Sequence, residues 1–186
     1  FMKKSISTFL KHPTKDNANR SANPAVTRAS TILFNSMQEL HQHEKKITAN
    51  KKVSYYSYGR YGSSTTIELE NIIKELEQAH HVFLTGTGFG GVALALMSVC
   101  RPGDEILVSD NVYGPTKEIS EDLLKEFEIN AIFYDPESFE DLKNKVTKKT
   151  RIIVVENPGS ITFEFQDLSK IVNLAKRKNI LTFLDN

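Results

Sequence analysis

One stretch of the chain has residues suited to holding an anion: Thr85-Gly86-Thr87-Gly88-Phe89-Gly90-Gly91. Glycines let backbone amides approach a ligand closely, and a following helix start adds partial positive charge. Phosphate is the natural ligand for such a loop, although a ligand-free strand-to-helix turn uses the same residues. Gly86, Gly88 and Gly91 also satisfy G-x-G-x-x-G, and Asp110 follows 19 residues after Gly91. That spacing is close to a dinucleotide-binding turn, so an oxidoreductase domain is a remote alternative. The preceding apolar run is short for that purpose, and a long segment stands upstream where such a domain usually begins. Asp110, Tyr113, Asn157 and Asp185 each follow a run that reads as a strand. His41 and His43, and likewise His80 and His81, have no acidic or cysteine partners at metal-ligand spacing, so no metal is expected. Cys100, at the end of a helical run, reads as a small core residue.

The elements that would position these groups alternate. Thr65-Thr66-Ile67-Glu68 matches a capping box, and Leu69, Ile72, Ile73 and Leu76 then recur on one helical face. Val82–Leu84 reads as a strand, followed by the glycine loop and a helix through Leu94 and Leu96 to Val99. Ile106–Val108, Ala131–Tyr134, Ile152–Val155 and Leu181–Leu184 read as strands. Helices are expected over Thr116–Phe127, with Ile119, Leu123 and Phe127 on one side, and over Phe139–Val146 and Ser169–Lys178. This rhythm predicts an α/β fold, a mostly parallel sheet sandwiched by helices. Ligands bind such sheets at the carboxyl ends of the strands, where all the candidate groups of this part fall. Residues 1–64 differ. They are polar and weakly periodic, and predict an extended arm with one short helix near Ser36–Lys46, ordered by packing on another subunit. The expected division is therefore an arm at 1–64 and an α/β domain at 65–186.

Composition narrows the function classes. With 186 residues, 39% hydrophobic and 25% charged, the chain suits a soluble globular protein. A net charge of +1 gives no global pull toward nucleic acid or an anionic membrane. No apolar run approaches the roughly 20 residues of a spanning helix. The single cysteine and the lack of a secretory h-region predict a cytoplasmic setting. Lys45-Lys46, Lys51-Lys52 and the lysines of 143–149 read as solvated faces.

Six segments in order carry a resemblance. They are NPAVTRASTILF (23–34), YSYGRYG (56–62), TGTGFGG (85–91), SDNVYGPT (109–116), ENPGSITFEFQD (156–167) and FLDN (183–186). The chain resembles the pyridoxal-phosphate (PLP) enzymes of Cys/Met metabolism, most closely the bacterial cystathionine β-lyase branch. The PGS-x-TFE segment favours that branch, because γ-lyases and γ-synthases usually have Asn-Pro where Ser160-Ile161 stands. A γ-synthase or γ-lyase type remains an alternative.

The resemblance implies a fold type I PLP-dependent aminotransferase-like large domain, incomplete here, with PLP as cofactor and a sulfur amino acid such as cystathionine as substrate. It implies a homo-oligomer in which Tyr58 and Arg60 reach a neighbouring subunit's PLP phosphate. An arginine suits that role through its planar, charge-assisted bonds. Thr87, Gly88 and Phe89 align with the phosphate cup. The family's usual loop is Ser-Gly-x-Ala-Ala, so Gly90 and Gly91 depart from it. Tyr113 matches the tyrosine that stacks on the pyridine ring and assists proton movement. Asp185 matches the aspartate that pairs with the pyridinium nitrogen and keeps the ring an electron sink. Asn157 replaces a usual Ser or Thr and is assigned no role. The lysine that carries PLP lies beyond this sequence in the family, so the chain is expected to be an amino-terminal part, inactive alone. A remnant that only binds PLP phosphate or dimerises is the other expectation.

Overall fold

The computed structural model describes residues 23–49 and 56–186. The first part of the expected arm and the Lys51-Lys52 pair lie outside these. The chain divides into two compact units, Phe1–Leu84 and Thr85–Asn186, later than the sequence-based boundary after residue 64.

In the first unit, α1 (Met37–Thr48) starts at Ser36, whose hydroxyl accepts from the Glu39 N–H at 3.1 Å. Its last turn carries Lys45 and Lys46, which complement the negative helix end. The expected short helix is thus present. A 3₁₀ turn follows at Gly59–Tyr61, then α2 (Ser64–Glu77). The capping box of α2 lies earlier than the sequence suggested. Ser63 is the cap, and its N–H donates to Thr66 Oγ1 at 2.8 Å. Thr65 is engaged elsewhere: its hydroxyl donates to the Ala25 carbonyl at 3.1 Å and accepts from the Thr27 N–H at 2.8 Å. These bonds tie α2 to the segment before α1, which explains the later boundary. On α2, Ile67 is buried, whereas Leu69 and Leu76 of the expected apolar face are exposed. The expected strand at 82–84 is irregular and pairs with no strand among the described residues. An apolar run is only half of a strand; the other half is a hydrogen-bonding neighbour.

The second unit is built on four parallel strands: β1 (Glu105–Ser109), β2 (Asn130–Tyr134), β3 (Thr150–Glu156) and β4 (Leu181–Asp185). Their spatial order is β2-β1-β3-β4. Alternating side chains feed two cores, as a pleated strand requires. Ile106, Val108, Ile152 and Val154 point to one face, where α3 (Gly88–Val99) brings Val92 and Leu96. Leu107, Ile153 and Val155 point to the other, beneath α6 (Phe139–Lys145) and α7 (Leu168–Lys178) with Leu142, Ile171 and Leu174. Near-continuous apolar strands are what a sheet covered on both faces demands. Cys100 is buried in the first core, as expected.

One expected helix is two. The segment after β1 forms α4 (Gly114–Glu121) and α5 (Leu123–Glu126), separated at Asp122 (φ −105°, ψ −77°). The break rotates the residues downstream of it. Leu124 becomes fully buried, while Leu123 and Phe127, expected on the core side, are 39% and 46% exposed.

Candidate functional site

The glycine loop reaches the carboxyl edge of the sheet by topology. The turn at 101–104 leads directly from α3 into the start of β1, so α3 runs back along the sheet and begins at the opposite edge. Val92, near the start of α3, shares a core with Val112, just past the end of β1. At that start, Thr87 caps the helix, accepting from the Gly90 N–H at 3.0 Å. Among the described residues nothing accepts from the N–H groups of Gly88 and Phe89, as is usual in the first turn of a helix. A Cβ built on Gly86 or Gly88 would meet no atom within 4 Å, so the approach to these amides is open.

Gly90 and Gly91 have a different reason. Thr85 donates to the Thr87 carbonyl at 2.9 Å, folding its side chain back over the helix start. A Cβ at Gly90 would lie 2.9 Å from Thr87 Oγ1, and one at Gly91 would lie 3.3 Å from Thr85 Oγ1. The two threonines occupy space that alanine methyls would otherwise fill. The departure from Ala-Ala is therefore a local exchange of side-chain volume.

At the end of β1, Asp110 pairs with Lys117 at 2.6 Å, and this hydrogen bond holds the Lys117 ammonium above its usual range. Tyr113 precedes α4, and its side chain is half exposed. Its backbone N–H donates to Glu156 Oε2 at 2.6 Å, which fastens the β1–α4 loop to the end of β3. Glu156 stands opposite Asp185 in the β3–β4 register, and the Asn157 N–H donates to the Asp185 carbonyl at 3.0 Å. Tyr113, Glu156, Asn157 and Asp185 thus form one hydrogen-bonded row along the edge.

Tyr58 and Arg60 belong to the other unit. Tyr58 bridges to Thr31 in antiparallel fashion and is 39% exposed. The Arg60 guanidinium lies over the rings of Tyr58 and Tyr61, at 5.3 and 5.7 Å from their centroids. Gly59 is indispensable to this loop. Its N–H donates to the Ser30 carbonyl at 2.7 Å, and a Cβ there would fall 1.9 Å from the Ala29 carbonyl oxygen.

A family model, Cys/Met metabolism PLP-dependent enzyme, matches residues 7–186. The chain belongs to this family. It is 32% identical over 188 residues to cystathionine β-lyase of Bordetella avium, covering 98% of this chain and 46% of that protein. It is 30% identical over 176 residues to an L-alanine/L-glutamate racemase of Wolbachia pipientis, covering 89% and 42%. The chain thus spans about half the length of the curated relatives it matches. Among solved structures, a Campylobacter jejuni protein assigned as an O-acetylhomoserine (thiol)-lyase superposes with a TM-score of 0.86 at 21% identity, over 99% of this chain and 44% of that one. That neighbour carries N'-pyridoxyl-lysine-5'-monophosphate. Family and neighbour bear out both the fold type I reading and PLP as the family's cofactor.

The residues present fit that cofactor. Open amides at a helix start suit its phosphate, an exposed tyrosine suits its ring, and a carboxylate at a strand end suits its pyridinium nitrogen. Two contributors escaped the sequence. Glu156 holds Tyr113 in place, and Gln166 is a buried amide beneath the same edge. Both lie inside ENPGSITFEFQD, but nothing in residue type or spacing separates them from the other residues of that segment.

Proposed function

We propose that this stretch is the amino-terminal part of a PLP-dependent carbon–sulfur lyase that eliminates homocysteine from cystathionine, leaving pyruvate and ammonia. What supports the reading most is the single edge that carries an open helix start, Tyr113 and Asp185 together. The backbone N–H groups of Gly88 and Phe89, with the Thr87 hydroxyl, hold the phosphate. Tyr113 lies against the ring and helps move the proton. Asp185 keeps the ring nitrogen protonated. When bound, PLP supplies an electron-poor ring that takes up the electron pair left at the substrate Cα. Tyr58 and Arg60 reach the phosphate across a subunit boundary, so the working protein is a homo-oligomer, in the cytoplasm. Among the described residues no helix is long and apolar enough to cross a membrane.

Lys176 and Lys178 are in the last turn of α7, and Lys170, in its first turn, is paired with Asp167 at 3.1 Å. On this reading, which follows the family resemblance, the residues of this stretch bind and orient, and the covalent lysine is supplied elsewhere.

The test is to read the coding frame through and past the codon for Asn186, express what it encodes, and offer it cystathionine and L-alanine with PLP. Pyruvate release supports the lyase. Inversion of alanine without pyruvate would replace it with a racemase. PLP binding with neither would leave a binding module, and no PLP binding would overturn the reading.

A further inference from the structure

We infer that Gln166 is the positioning residue of the cofactor edge, acting through β3 on both Tyr113 and Asp185. The inference rests on the PLP reading above. Gln166 is 8% exposed, and every polar atom of its side chain is used. Its Oε1 accepts from the Tyr134 hydroxyl at 2.9 Å, at the end of β2. Its Nε2 donates to Ser109 Oγ at 2.9 Å, at the end of β1, and to the Glu156 carbonyl at 3.2 Å, at the end of β3. Its backbone N–H donates to Asn157 Oδ1 at 2.8 Å. Ser109 passes the connection on, donating to Asn111 Oδ1.

One residue from a loop therefore binds the last residues of three strands, adding side-chain bonds to the backbone ladder that ends there. Burial raises the Tyr134 phenol far above its usual range, so it stays a neutral hydroxyl beside the Gln166 amide. The next links leave this cluster for the edge. Glu156 holds the Tyr113 N–H, and Asn157 donates to Asp185. Neither candidate cofactor residue touches Gln166, yet both hang from the two residues that Gln166 fixes. A buried amide with both donors and its acceptor satisfied is costly to lose, because its partners are left unpaired away from water.

The test uses pyridoxine 5'-phosphate, which has the ring and phosphate but no aldehyde for a lysine to capture. Its ultraviolet absorption reports protonation of the ring nitrogen. Wild-type chain should bind it and hold the ring protonated above the pH at which the free ligand loses its proton; Asp185→Ala should abolish that retention. Gln166→Met keeps the packing and removes the amide. It should weaken binding by about tenfold or more, shift the ring absorption toward the Asp185→Ala value, and speed amide exchange at Tyr113 and Asn157 in ligand-free protein. Tyr134→Phe, which removes one of the three bonds, should move all three readouts the same way by less, and it decides the matter if Gln166→Met does not fold. Unchanged absorption and exchange in a variant whose thermal stability alone has fallen would overturn the inference. No binding of the probe by the wild type would overturn the PLP reading, and this inference with it.

Discussion

At the residue scale, two glycines make opposite demands. Gly59 sits where any Cβ meets backbone at 1.9 Å. Gly59→Ala must open the loop that presents Tyr58 and Arg60, at a cost of about 1–3 kcal/mol in urea unfolding of the unit that contains it. Gly88 sits at the start of α3 with open space where a methyl would go. Gly88→Ala should leave stability unchanged or raise it by up to about 1 kcal/mol, since alanine is the better helix former. The same methyl would obstruct an anion, so phosphate-ester affinity measured by calorimetry should fall. Stability and affinity moving in opposite directions would mark Gly88 as a site residue; a variant with unchanged affinity would remove it from the cup. The glycine loop, Tyr113 and Asp185 could be picked out in the sequence as candidates because their types suit such chemistry and their positions follow apolar runs. Gln166 was not. Its proposed role comes from three strand ends and a loop meeting in space, and two of its partners, Tyr134 and Ser109, are far from it in the chain.

At the scale of elements, the strands were legible for a physical reason. Ile152, Ile153, Val154 and Val155 are branched, apolar and consecutive, which only a sheet buried on both faces requires. The broken helix after Tyr113 was not, because Ile119, Leu123 and Phe127 keep helical spacing across the break. Asp122 changes the backbone path without disturbing that pattern, and it moves burial from Leu123 to Leu124. Leu124→Ala should therefore cost about 2–5 kcal/mol in chemical denaturation, and Leu123→Ala far less. Equal costs would mean a continuous helix. The cap of α7 gives a pH prediction. Asp167 accepts from the Lys170 N–H at 3.0 Å and pairs with its ammonium, and the backbone bond first, then the side chain, hold its carboxyl below the usual range. A carboxyl lowered by folding stabilises the native state above its unfolded pKa, and that contribution is lost as pH falls through the folded value. Wild-type stability should drop on acidification below about pH 4, and Asp167→Asn, which caps without titrating, should flatten that part of the curve. A profile identical to wild type would show that the cap contributes nothing.

At the scale of the whole molecule, apolar surface is plentiful. Phe83, Ile161, Phe163 and Phe165 are 82%, 83%, 68% and 75% exposed, and among the described residues β4 is an edge strand with Leu181 and Leu184 exposed. Unpaired strand edges and apolar patches of this kind promote association. Sedimentation of the chain over a range of concentrations should show self-association, and a monodisperse monomer at every concentration would contradict the oligomer proposed above. Edge and patch belong to the same physics that makes the carboxyl edge useful, since both are places where the sheet stops satisfying itself. The start of α3 has one more consequence. Its two open donors are peptide amides, and peptide amides carry no proton that titrates in the working range of a protein. The pH dependence of gripping a phosphate ester there would belong to the guest and not to the host. Affinity should climb as the ester loses its second proton, near about pH 6, and then stay level.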